Sequence, residues 1–124
     1  MVTTRHPRET FSSTTKFVLP NDTNTLGNLM GGNLLHWMDI AAAIAANRHC
    51  RQEVVTAAVN NVSFQKPIKL GDIVIIESQV TRSFRSSMEV YLEVFTENSV
   101  TGKKIRCNEA MYTFVAVDRQ ESPI

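Results

Sequence analysis

From residue 34 to residue 46 the chain is almost entirely small or apolar: Leu34, Leu35, Trp37, Met38, Ile40, Ile44 and five alanines. Read as a helix, these side chains point in nearly every direction rather than along one stripe. A helix that is apolar all round is one wrapped by the rest of the fold. Thirteen residues at ~1.5 Å each span only about 20 Å, too short for a membrane crossing. The alanines carry little bulk, so surrounding backbone can approach closely. The chain must therefore provide a curved layer around a central helix.

The flanking sequence supplies that layer as strands. Residues 15–19 form a short β-like run that ends at the turn signal Pro20-Asn21-Asp22. Residues 54–64 read as a second strand, with Asn60-Asn61 marking a bulge. Pro67 and Gly71-Asp72 punctuate the chain before a third strand at 73–81. Met88, Val90, Leu92 and Val94 then alternate with Glu89, Tyr91, Glu93 and Phe95, the period-two pattern of a strand with one more polar face. Residues 98–102 read as a hairpin loop. The last strand, 106–117, is apolar on both faces from Ala110 onward, as a central strand would be. Short turns between most of these strands favour antiparallel pairing.

A chain of 124 residues, 43% of them apolar, fits one domain spanning residues 1–124. A formal charge of +1 provides no basic field for nucleic acid. Cys50 and Cys107 have no CxxC spacing, and no secretory signal or membrane-spanning run is present. The expectation is a reduced, cytoplasmic protein with free thiols. The polar start, residues 1–13, and the tail, residues 120–124, read as frayed ends.

One charge interrupts the helix. Asp39 has Leu35, His36, Ala42 and Ala43 as its neighbours one turn away, so no Lys or Arg is placed to pair with it along the helix. A carboxylate on such a surface is costly to desolvate, and it is kept there by hydrogen bonds or by chemistry. Gly31-Gly32 opens the same helix, where N–H groups without helical partners sit at the positive end of the dipole and can polarise a carbonyl. Packing or a tight turn also explains such a pair. His36 reads as a surface or interface residue. His49 and Cys50 read as structural, with no third group to orient them, and no set of residues has metal-ligand spacing.

Asn24-Thr25-Leu26-Gly27-Asn28-Leu29-Met30-Gly31-Gly32, followed by Leu34-Leu35-His36-Trp37-Met38-Asp39, resembles the start of the hotdog-fold acyl-CoA thioesterases. The resemblance continues through Ala46-Asn47-Arg48-His49-Cys50, Val54-Val55-Thr56-Ala57, Phe64-Gln65-Lys66-Pro67-Ile68, Gly71-Asp72, Arg85-Ser86-Ser87-Met88-Glu89-Val90 and Phe114-Val115-Ala116-Val117-Asp118. It covers roughly residues 15–118. It implies an α+β hotdog fold, an antiparallel sheet wrapped around a long central helix.

The resemblance also implies hydrolysis of fatty acyl-CoA to free acid and coenzyme A, a step in lipid metabolism. It gives Asp39 a catalytic role, as general base toward water or as a nucleophile forming a mixed anhydride. It places Asn24 at a second catalytic position, where the side chain orients the water or bonds the thioester oxygen; on residue type alone, Asn24 is an Asx-turn residue. Arg82, Arg85, Ser86 and Ser87 become candidates for the phosphates of coenzyme A, since Arg gives bidentate contacts to phosphate. Coenzyme A is part of substrate and product, so no separate cofactor or metal is implied. A non-catalytic acyl-CoA sensor on the same fold is the alternative; it predicts loss of Asp39 or Asn24, and both are present.

Gly32 and Asp39 are seven residues apart, about 10 Å along the helix axis. A base and an oxyanion donor must both lie within ~3 Å of the reacting group, or reach it through one water. Two antiparallel helices meet this condition, with Gly32 and Asn24 of one chain facing Asp39 of the other. The expected assembly is a homodimer, with the resemblance implying a trimer of dimers.

Overall fold

The computed structural model describes residues 10–60, 62 and 66–117. Strand β1 (Ser12–Phe17) leads into a 3-10 turn (Pro20–Asp22) and helix α1 (Gly31–Cys50). Strands β2 (Glu53–Asn60), β3 (Ile73–Ser83), β4 (Ser87–Glu97) and β5 (Lys104–Val117) follow. All five strands join one antiparallel sheet in the order β1-β3-β4-β5-β2. The sheet curls around α1. This is the hotdog fold.

The core lies between one face of the sheet and one side of the helix. On β4 the alternation holds as written: Met88, Val90, Leu92 and Val94 are fully buried, while Glu89, Tyr91, Glu93 and Phe95 are half-buried on the other face. From the helix, Leu34, Met38, Ala41, Ala42, Ala45 and Ala46 fill the opposite wall. The four alanines have no exposed surface, so the sheet packs against them with almost no side chain between. Three polar side chains of the sheet fasten the helix backbone or its core side chains. Ser78 donates to the Ala41 carbonyl at 2.9 Å, Tyr112 donates to the Leu35 carbonyl at 3.4 Å, and Asn108 Nδ2 reaches Met38 Sδ at 3.9 Å. Buried polar groups are stable only when partnered, so these contacts also fix the rotation of α1 about its axis.

The helix departs from the sequence reading in one important way. It is not wrapped on all sides: His36, Ile40, Ile44 and Asn47 point away from the sheet, with Ile40 45% and Ile44 36% exposed. Its apolar surface has two faces, and the chain covers one.

Smaller differences have local causes. The Thr10 hydroxyl accepts from the Val80 N–H at 3.0 Å, and Ser12 and Ser13 pair with β3, so the described part of the polar start is tied down rather than frayed. Residues 1–9 and 118–124 lie outside the described residues. β1 stops at Phe17 because the chain leaves the sheet for the 3-10 turn, where Asp22 accepts from the Leu19 N–H. The bulge in β2 falls between Thr56 and Ala58 rather than at Asn60-Asn61; Asn61 is outside the described residues. The hairpin at 98–102 forms with Asn98 Oδ1 accepting from Val100 and Thr101, and with Gly102 at φ 75°, a conformation suited to glycine.

Candidate active site

Helix α1 begins at Gly31 with no side-chain cap, and its last turn carries Arg48 and His49. Asp39 lies midway along it, beside the fully buried Met38, on the flank between the sheet-facing and open faces. That flank looks toward β2. There the bulge inserts Ala57, so that Thr56 pairs with Phe114 while Ala58 pairs with Thr113. Bulges bend a strand and re-aim its side chains. Thr56 Oγ1 donates to Asp39 Oδ1 at 2.7 Å. The bond fixes one carboxylate oxygen and leaves Oδ2 without a protein partner among the described residues.

Asp39 borders two grooves on the open side of the helix. One, of about 560 Å³, is lined by Gly32, Leu35, His36, Val59, Val62 and Tyr112. The other, of about 400 Å³, runs past Ile40, Ala43, Ile44 and Val54 toward Asn47, Arg48 and Arg51. Both are walled mostly by apolar groups. Burial pushes the Tyr112 phenol up to about 12, with the nearby Asp39 carboxylate adding to the rise, so Tyr112 stays neutral beneath the first groove.

The other expected site residues fall into separate places. Gly32 shares the first groove with Asp39. Asn24 lines a different cavity of about 330 Å³, with Asn28, Leu29, Gly31, Leu34, Lys66, Pro67 and Ile68. Its Oδ1 accepts from the N–H groups of Leu26 at 2.9 Å and Asn28 at 3.1 Å, an Asx-type turn. With the oxygen so committed, Nδ2 is the donor that the side chain retains. Within one chain Gly32 lines the same groove as Asp39, about 10 Å along the helix from it, and Asn24 does not line that groove.

Arg82, Arg85, Ser86 and Ser87 meet at the end of the β3–β4 hairpin. The Phe84 N–H donates to the Ser87 carbonyl at 2.7 Å and closes the turn. Arg82 stacks over the Phe84 ring at 5.2 Å, Arg85 is exposed at the tip, and the Ser86 carbonyl accepts from Ala116 at 2.8 Å. Thr56, Phe114 and Met88 stand in one row across three strands, and Ser87 is the next residue along β4. With strands about 4.8 Å apart, the hairpin end is about 10 Å across the sheet from Thr56. Phe64 and Gln65 of the sequence resemblance lie outside the described residues.

The thioesterase superfamily model matches residues 26–103. A Bacillus subtilis protein named as an uncharacterized acyl-CoA thioester hydrolase, YkhA, is 42% identical over 98% of this chain and 70% of its own length. The chain belongs to the thioesterase superfamily. Among solved structures, an apo-hexameric acyl-CoA thioesterase superposes with this thioesterase at a TM-score of 0.94, with 37% identity over 98% of this chain and 78% of the other. The acyl-CoA hydrolase of Staphylococcus aureus, solved with butyryl coenzyme A, coenzyme A and coenzyme A disulfide, matches at a TM-score of 0.89. It is 35% identical over 94% of this chain and 71% of its own. That hydrolase has also been solved with alanine in place of one aspartate, one asparagine and one threonine.

Thr56 is the residue that sequence reasoning missed. It lies inside the resembling segment Val54-Val55-Thr56-Ala57, where the sequence alone assigns it no role. Only a polar residue in an otherwise apolar strand start distinguished it. No helix among the described residues is long and apolar enough to cross a membrane.

Proposed function

We propose that this thioesterase hydrolyses acyl-CoA to the free acid and coenzyme A in the cytoplasm, with Asp39 at the centre of the reaction. The observation that carries the reading is the Thr56–Asp39 pair: one carboxylate oxygen is held at 2.7 Å and the other is open where two apolar grooves meet. As general base, Asp39 takes a proton from water while the water oxygen attacks the thioester carbonyl. The oxyanion then collapses and expels the coenzyme A sulfur, which leaves as the thiol with a proton. As nucleophile, Asp39 attacks the carbonyl itself and expels the coenzyme A thiolate; water then hydrolyses the acyl–Asp39 anhydride, releasing the acid, restoring the carboxylate and giving up the proton that makes the thiolate a thiol. In both routes the N–H groups at Gly31-Gly32 and the Asn24 amide are the donors for the oxyanion.

The three residues replaced in the Staphylococcus aureus variants are spaced along that chain as Asn24, Asp39 and Thr56 are spaced along this one, which supports a common role. Arg82, Arg85, Ser86 and Ser87 receive phosphate of coenzyme A at the hairpin end.

The separation of Asn24 from Asp39 within one chain supports a site shared between two subunits. The open helix face, with Ile40 and Ile44, and the edge strand β2, with Val55 and Val59 about two-fifths exposed, are the surfaces a two-fold partner covers. An edge strand this apolar is a template for pairing with another chain. The hexameric relative supports three such dimers in the full assembly.

The test is release of free thiol from acyl-CoAs of graded length. Wild type should turn over at least part of the series, and Asp39→Asn should lose ~100-fold or more, the scale of a removed base. Asp39→Asn activity close to wild type would make the carboxylate structural.

A further inference from the structure

The groove that leaves Asp39 toward the end of the helix has an end unlike its walls. Ile40, Ala43, Ile44 and Val54 give an apolar passage, and Asn47, Arg48 and Arg51 close it. Basic residues in a last helical turn are ordinarily explained by the dipole. Arg48 fits that account, because its Nη1 is already held by the Phe11 carbonyl at 2.8 Å.

Arg51 does not fit it. Arg51 sits beyond the last turn with φ 55° and ψ 32°, the only non-glycine residue at positive φ among the described residues. Glycine is the usual occupant of a left-handed helix end, and a side chain there is strained. Left-handed non-glycine residues gather at ligand clamps, where the side chain matters more than the backbone cost. No carboxylate among the described residues pairs with the Arg51 guanidinium. A cation without a partner among the described residues therefore stands at the mouth of an apolar groove whose other end is the Asp39 carboxylate. Twelve helical residues at ~1.5 Å put Arg51 about 18 Å from Asp39 along the axis.

Resting on the thioesterase reading above, we infer that Arg51 with Asn47 receives an anionic group carried by the substrate far from its thioester. The group is either a carboxylate at the end of the acyl chain or a phosphate of coenzyme A. An apolar run along the groove followed by an anion is the chemistry that both provide. Guanidinium is suited to either, through paired N–H donors.

Dissociation constants measured by calorimetry in the Asp39→Asn background, where the thioesters survive, test this directly. The ligands are a medium-length neutral acyl-CoA, its counterpart with a terminal carboxylate, and the same two acyl groups on pantetheine. Arg51→Gly removes the charge and relieves the backbone, so its Tm should equal or exceed that of the parent. Its Kd should rise about ten-fold or more for the anion-bearing ligand, the scale of one charge-assisted hydrogen bond. Arg51→Lys should restore part of the affinity. A rise confined to the carboxylate-terminated pair assigns the site to the acyl chain. A rise for both CoA thioesters, absent for both pantetheine thioesters, assigns it to a phosphate. Unchanged affinity throughout, or an equal rise for the neutral pantetheine thioester, overturns the inference. Turnover of the neutral acyl-CoA by wild type, run alongside, tests the hydrolase reading separately.

Discussion

At the scale of single residues, Asp39 and Thr56 form the hydrogen-bonded pair at the centre of the proposed reaction. Thr56→Val keeps the shape of the side chain and removes only the hydroxyl. The carboxylate then rotates freely, and kcat is expected to fall about ten-fold with KM little changed. The loss should be smaller than that of Asp39→Asn, because an orienting group is removed rather than the proposed base or nucleophile. Stability should change by only about 1 kcal/mol, the net contribution of a typical hydrogen bond. Steady-state kinetics and a thermal melt on the same sample check both parts. Asp39 was legible in the sequence because a carboxylate among alanines has no local partner. Thr56 was not, because its aim depends on the bulge at Ala57, and alanine and valine carry no mark of a bulge. The turn role of Asn24 was legible, and the structure draws it through the Leu26 and Asn28 N–H groups; its proposed catalytic role came from the resemblance alone.

At the scale of elements, the alanines of α1 and the hairpin of β3 and β4 set the geometry. Ala42 has no exposed surface and lies against the sheet, so Ala42→Leu has no room for its added carbons. Overpacking of this kind is expected to cost about 1–3 kcal/mol, read as a lower denaturation midpoint with an unchanged slope. The hairpin end carries a different prediction. Arg85→Ala should raise KM more than it lowers kcat, since a contact remote from the carbonyl is mainly uniform binding. The effect should shrink with a pantetheine thioester, and equal losses on both substrates would place Arg85 in the chemistry or the fold. The strands themselves were legible from their alternation and turn residues. Their order was not: β2 pairs with β5 rather than with β3, its neighbour in sequence, and that choice rests on contacts far apart in the chain.

At the scale of the whole molecule, the all-round apolar helix is accounted for by the proposed assembly. Its composition demanded two covered faces, and the period of the sequence does not say which face belongs to the sheet and which to another chain. In the fold, Met38, Ala42 and Ala45 meet the sheet, while Ile40 and Ile44 remain open beside Asp39. In the proposed dimer a two-fold partner on that face brings its own Asn24 to Asp39, since within one chain Asn24 lines a different cavity. The central claim is a thioester-cleaving site built from two chains, and subunit complementation tests it most directly. Asn24→Ala and Asp39→Ala chains, each inactive alone, are mixed under conditions where subunit exchange is verified, and thiol release from acyl-CoA is measured. Mixed dimers should recover activity, up to one intact site of two. No recovery despite proven exchange would contradict the account.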